Sequence, residues 1–133
     1  MIGSVIGPAG DVDAAAFWSA LDDGTLLVSV CGACGHRWLP PLATCPRCAS
    51  RDVTAAPSAA AGALYSWTVI HMAADPAYAA ETPYTVGLVE LDDGVRLYGR
   101  VVDVDHDALR DGLRLRVTVG SAGGQPIWHF GRE

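Results

Sequence analysis

Every cysteine of the chain lies between Cys31 and Cys48, in the stretch CGACGHRWLPPLATCPRC. Cys31 and Cys34 form one Cys-x-x-Cys pair and Cys45 and Cys48 a second, with ten residues between the pairs. Each pair can bring two thiolates to one ion, while Gly32, Gly35 and Pro46 permit tight turns that aim backbone N–H groups at sulfur. Four soft ligands at tetrahedral corners, about 2.3 Å from the metal, suit Zn²⁺, with iron the alternative for such a site. A disulfide framework fits less well, because MIGSVIGPAGD has neither the basic region nor the apolar run of a secretion signal. A thioredoxin-like centre uses one such pair at the start of a helix, not two.

A Cys₄ site has no open position for water or substrate, so its metal is structural rather than catalytic. Binding worth on the order of 10–16 kcal/mol folds a ribbon too small to fold alone. His36 sits beside the cluster, but four thiols already complete it; it reads as a supporting or surface residue.

Outside the cysteines, no catalytic pattern emerges. The chain has no Gly-x-Ser-x-Gly elbow, no His-Glu-x-x-His and no glycine-rich phosphate loop. His71, His106 and His129 fall in separate segments, and Asp92-Asp93-Gly94 is better explained as a turn. His71 stands out a little, ending a strong strand just before a long loop, where barrels often place ligand contacts.

The elements that must position these residues follow from pattern. Half of the 133 residues are hydrophobic and 18% are charged, which is ample for a core. No apolar run reaches the roughly 18 residues of a membrane span, so a cytoplasmic protein with no membrane association is expected. Asp11 to Gly24 reads as a short helix, capped by Asp11 or Asp13, with Ala14, Phe17, Trp18 and Leu21 on one side. Phe17 and Trp18 either pack this helix down or cover a partner or ligand. Thr25–Val30 and His36–Leu39 read as strands flanking the first cysteine pair, ended by Pro40-Pro41. The small residues of Val53–Gly62 suit a connector between modules.

The remainder reads as β. Ala63–Met72, Tyr84–Leu91, Val95–Val102 and Leu113–Val119 are strands, with Leu113, Leu115 and Val117 on one face of the last and Arg114 and Arg116 on the other. Pro126–Phe130 reads as a final edge strand. Asp75–Pro83 is a proline-bounded loop, and Asp105–Gly112 has room for one helical turn. The fold class is therefore mainly β: an N-terminal helical segment (1–24), a Cys₄ zinc ribbon (25–56) and a small, partly open OB-type barrel (57–133).

The net charge is −6, and all nine cations are arginine. Residues 31–51 hold three of them (Arg37, Arg47 and Arg51) and no acid. Ribbons and OB barrels both bind single-stranded nucleic acid, and Arg37, Arg47 and Arg51 near Trp38 in the ribbon with Arg114 and Arg116 on one strand face of the barrel are what such binding would use. The overall acidity and the absence of lysine make nucleic acid the weaker reading.

The order of motifs resembles a known family. Phe17-Trp18, Cys31-x-x-Cys34-Gly35, Pro40-Pro41 and Cys45-Pro46-x-Cys48 are similar to the N-terminal half of DUF35 zinc-ribbon and OB-fold proteins. Gly62-x-Leu64-Tyr65-Ser66-Trp67-Thr68, Pro83-Tyr84, Leu88-Val89-Glu90-Leu91-Asp92-x-Gly94 and Gly112 resemble its barrel motifs. Leu42 stands where the family usually has arginine. The resemblance covers about Phe17 to Val119.

The resemblance implies a noncatalytic subunit. Its partner would be a thiolase-like or lipid-transfer-protein-type enzyme acting on acyl-CoA thioesters, as in aldol cleavage during steroid side-chain breakdown. A hydratase-like domain can accompany such a chain. Zn²⁺ would be structural and acyl-CoA a ligand of the complex. Phe17, Trp18, Arg37, Trp38, His71 and Tyr84 are the expected partner or acyl-CoA contacts, since guanidinium forks suit phosphates and an apolar channel suits pantetheine. A stand-alone acyl-CoA carrier is the alternative.

Overall fold

The computed structural model describes residues 15–122 and 124–133. Helix α1 (Ala15–Asp22) leads into a three-stranded antiparallel sheet of β1 (Leu27–Cys31), β2 (Arg37–Trp38) and β3 (Val53–Pro57), in the order β2-β1-β3. Then come β4 (Ala61–Ile70), a short helix α2 (Pro76–Ala79), β5 (Tyr84–Leu91), β6 (Arg96–Val101), a 3₁₀ turn (His106–Ala108), β7 (Arg114–Ala122) and β8 (Gln125–Arg132). The last five strands close in the order β4-β5-β6-β8-β7, with β7 returning to β4. This is an OB-type barrel. No helix among the described residues is long and apolar enough to cross a membrane.

The register follows the alternation of the sequence. On β5, Thr85, Gly87, Val89 and Leu91 point into the barrel, and on β7 Leu115 and Val117 do so while Arg114 and Arg116 face out. Asp92-Asp93-Gly94 makes the β5–β6 turn, with Gly94 at φ 88°, and Asp93 Oδ1 accepting from the Val95 N–H at 3.3 Å. Asp75 caps α2, its carboxylate accepting from the Ala77 N–H at 2.9 Å.

A single apolar core unites the parts. Leu64, Val89, Leu91, Leu97, Leu115 and Phe130 fill the barrel, and Phe17 and Leu21 of α1 with Leu26 and Val28 of the ribbon sheet pack into the same cluster. Each large side chain so buried contributes roughly 1.5–3 kcal/mol. The helix and the base of the ribbon are thereby fixed to the barrel. A smaller cluster of Cys31, Trp38 and Cys45, with Val53 against it, sits beneath the cysteine site.

Two expectations are corrected, and a third falls outside the described residues. Val53–Gly62 is not a connector: Val53–Pro57 pairs along the whole of β1, from Leu27 opposite Pro57 to Cys31 opposite Val53, and β4 begins at Ala61. Small residues hid this strand because its burial comes from one neighbour only. Pro126–Phe130 is not an edge: β8 pairs antiparallel with β7 and parallel with β6, so the barrel is closed, not partly open. A parallel partner at the far side of the fold leaves no local signal in sequence. Finally, the helix is described from Ala15, so the capping roles of Asp11 and Asp13, and the place of Ala14, lie outside the described residues.

Candidate metal centre and its surroundings

The two cysteine pairs are built alike. The Gly35 N–H donates to Cys31 O and the Ala49 N–H to Cys45 O, both at 2.9 Å. The Cys31 N–H donates to His36 O and the Cys45 N–H to Ser50 O, again at 2.9 Å. Both turns need a left-handed residue after the second cysteine: Gly35 has φ 78° and Ala49 has φ 64°. Within the turns, the Cys34 N–H donates to Cys31 Sγ and the Arg47 N–H to Cys45 Sγ, each at 3.4 Å. Such bonds favour the thiolate over the thiol.

The four sulfurs lie within 4.8 Å of one another. Cys31 and Cys48 Sγ are 3.5 Å apart, and Cys34 and Cys45 Sγ 3.8 Å. An ion about 2.3 Å from four tetrahedral sulfurs requires them about 3.8 Å apart. The donor set therefore fits Zn²⁺, held by Cys31, Cys34, Cys45 and Cys48, with two ligands buried and two exposed. Zinc bound here supplies cross-linking, since no coordination position is left open.

Proton competition points the same way. The Cys34 backbone N–H is the largest influence on Cys31 and, against desolvation, pulls its thiol down to about 6. Cys48 is pushed up to about 12: contact with the Ser50 backbone lowers it, but hydrogen bonding with the Cys31 and Cys34 sulfurs and desolvation raise it more. The shifts belong to the group as a whole. A dication replaces the protons that the sulfurs must otherwise share.

His36 is not among the convergent ligand atoms. Its ring stacks on Trp38 with centroids 5.6 Å apart and planes 18° apart. Trp38 is buried beside Cys31 and Cys45, and its Nε1 has no hydrogen-bond partner. It floors the ribbon and is not a surface contact.

The other predicted contacts form separate groups. Phe17, 6% exposed, turns into the core, so the core rather than a partner takes most of its ring. It meets Trp18 edge-on at 5.2 Å and Trp128 at 5.9 Å. Trp18 is half-buried against the same Trp128. Arg37 lies half-buried on β2. His71 is exposed just past the end of β4, next to Tyr84 across the β4–β5 pair, where Ile70 opposes Tyr84. The Arg100 guanidinium lies over the Tyr84 ring at 4.1 Å.

Sequence reasoning passed over Arg51 and Leu42 as a pair. They line a groove of about 330 Å³ together with Leu27, Ser29, Pro41 and Thr54, between α1 and the ribbon sheet. Only the contact of the helix with β1 creates it, and helical periodicity alone does not reveal that contact.

Two family models match in sequence. The ChsH2 rubredoxin-like zinc ribbon domain matches residues 18–54, and the ChsH2 C-terminal OB-fold domain matches residues 55–120. The chain belongs to the DUF35 family. Among DUF35 relatives, a scaffold protein of Methanocaldococcus jannaschii is 25% identical over 100 residues, 74% of this chain and 70% of that protein. A Thermomonospora curvata protein described as a probable enoyl-CoA hydratase alpha subunit is 36% identical over 106 residues, 80% of this chain. The present chain spans only 33% of that relative's length. Among solved structures, a chain of an Ltp2-ChsH2(DUF35) aldolase superposes with TM-score 0.83 at 32% identity, covering 94% of this chain and 98% of that one. A DUF35 protein of unknown function from Sulfolobus solfataricus superposes with TM-score 0.66 at 14% identity, covering 100% and 93%, a likeness of fold.

Proposed function

We propose that this chain is a noncatalytic accessory subunit of a thiolase-like or lipid-transfer-protein-type enzyme acting on acyl-CoA thioesters, with aldol cleavage of a steroid side chain as the leading case. One observation carries the reading: the near-complete superposition on the DUF35 chain of an aldolase complex. The residues agree with it. The described polar side chains form no acid–base or nucleophilic constellation, and the four thiols are committed to the metal centre. Catalytic groups then belong to the partner.

Within that complex the chain holds the partner and walls off a section of the acyl-CoA channel. The groove between α1 and the ribbon suits the channel role, because Leu27, Pro41 and Leu42 offer apolar walls and Arg51 offers a guanidinium to an anionic group. Co-expression with the thiolase-like protein of the same genome tests the reading. A stable hetero-oligomer is expected; a chain that elutes as a monomer beside that protein contradicts it.

The same groove is the observation that favours a second reading, a stand-alone acyl-CoA carrier. Calorimetry on the isolated chain separates the two, since a carrier binds acyl-CoA without a partner. Nucleic-acid binding is weaker still. Arg114 is gripped by Asp92 at 2.8 Å and by Glu133 at 2.9 Å, so one of the two cations on the outer face of β7 is already neutralised before any phosphate arrives.

A further inference from the structure

We propose that the groove between α1 and the ribbon sheet binds the phosphopantetheine arm of CoA, with Ser29 and Arg51 as its recognising residues. This rests on the accessory-subunit reading and its acyl-CoA channel. It goes further by naming the segment of the ligand and the groups that hold it.

Ser29 supplies the first reason. It is only 7% exposed, yet its hydroxyl has no hydrogen-bond partner among the described residues. Alternation along β1 sets Leu27 and Ser29 on the face opposite the core residue Val28, and both line the groove. Across the sheet, Ser29 faces Trp38 on β2 and Ala55 on β3. Ala55 has no polar side-chain atom to offer, and Trp38 Nε1 is itself unpartnered. A hydroxyl withdrawn from bulk water and left unpaired is poised to bond a ligand amide.

Arg51 supplies the second. It lines the same groove, is exposed, and makes no ion pair with any described residue. Arg96, Arg100 and Arg114, by contrast, are each held by a carboxylate. An unpaired guanidinium beside walls of Leu27, Pro41 and Leu42 selects a ligand with an apolar body and an anionic end.

The volume of about 330 Å³ is at the low end for ligand sites and holds one arm of CoA rather than the whole. Phosphopantetheine carries a branched aliphatic carbon for the walls, amides for Ser29 and a phosphate for Arg51. A bare acyl chain leaves both polar groups unanswered. A nucleotide base needs a free aromatic face, and the Phe17 ring is packed edge-on against Trp18 and Trp128.

The cysteine site holds both walls. Pro41 and Leu42 lie between Cys34 and Cys45, and Arg51 follows Cys48 by three residues. Val53 lines the groove and also packs on Cys31, Trp38 and Cys45. Arm and metal therefore strengthen each other's binding by the same factor.

The test uses the complex of this chain with the thiolase-like protein of the same genome, and two probes: phosphopantetheine, and pantetheine, which lacks the phosphate. By calorimetry, Ser29→Ala is expected to weaken both probes about fivefold. Arg51→Gln is expected to weaken phosphopantetheine about tenfold or more and to leave pantetheine within about twofold. Zinc affinity, read by chelator competition, is expected to rise with phosphopantetheine present, and to rise less in Arg51→Gln. Equal effects of Arg51→Gln on the two probes, or a zinc affinity indifferent to phosphopantetheine, overturn the assignment. So does an Arg51→Gln chain that no longer holds the thiolase-like protein, because the groove then seats a segment of that protein. Absence of a wild-type complex is a different result: it removes the accessory-subunit reading and this assignment with it.

Discussion

The Trp128 indole N–H donates to the backbone carbonyl of Tyr98 at 2.7 Å. This bond ties β8 to β6 at the point where their parallel pairing ends, and it fixes the indole against Phe17 and Trp18. Gly99 makes the approach possible: a Cβ there would stand 2.7 Å from the Phe130 ring and 3.1 Å from the Trp128 indole. Barrel closure and helix docking therefore share one aromatic joint. Through α1 and the shared core, the ribbon's base is held to the barrel.

Loss of that joint should be measurable. Phe17→Ala removes a buried ring from the core and is expected to cost about 3 kcal/mol, the low end for a truncated core aromatic. Thermal or denaturant unfolding followed by circular dichroism reports it. A loss under about 1 kcal/mol would mean that α1 is not anchored as described.

Ala49 holds φ 64° where the matching turn has Gly35. Ala49→Gly relieves a left-handed conformation that costs an L-residue about 1–2 kcal/mol, offset in part by the entropy of the unfolded chain. The expected outcome is a net gain of about 0.5–1 kcal/mol with unchanged zinc stoichiometry. Gly35→Ala should do the reverse. Paired unfolding curves of the two variants check both signs.

The metal centre makes its own demands. One Zn²⁺ per chain is expected by elemental analysis, and chelation should disrupt residues 31–48 first. Because zinc binds thiolates, protons compete with it: occupancy is full near neutral pH and falls as acid protonates the sulfurs. Cys45→Ser, at a buried ligand, should abolish tight binding. An unchanged near-UV spectrum after complete zinc removal would contradict a structural metal.

Acid should also weaken the barrel's turn. Hydrogen bonding to Arg114, with its positive charge, holds the Asp92 carboxyl below the ordinary carboxylate range. A depressed value in the folded state means that this contribution is complete above the unfolded carboxylate pKa of about 3.9 and is lost as pH falls through the folded value. Asp92→Asn is therefore expected to lower stability at neutral pH slightly and to flatten the acid limb. Melting temperatures between pH 2 and pH 7, read for both proteins, check the sign.

Sequence pattern carried the ribbon and most of the barrel because their signals are local. Cysteine spacing marks the knuckles, Asp92-Asp93-Gly94 marks a hairpin, and alternation from Leu113 to Val117 marks a half-buried strand. What depended on distant partners was not legible. β3 consists of small residues whose only support is β1, and β8 becomes interior through a parallel neighbour far off in sequence. The site followed the same division. The four metal ligands stood out by spacing, whereas the burial of Phe17 and Trp38 depends on which element covers them.

If reactivity belongs to another polypeptide, thioester turnover is the direct measurement. It compares the zinc-loaded chain alone, the thiolase-like protein alone, and the two co-purified, all with the same acyl-CoA. The predicted result is no turnover by this chain alone and full activity only from the stable complex. Turnover by the isolated chain would contradict it.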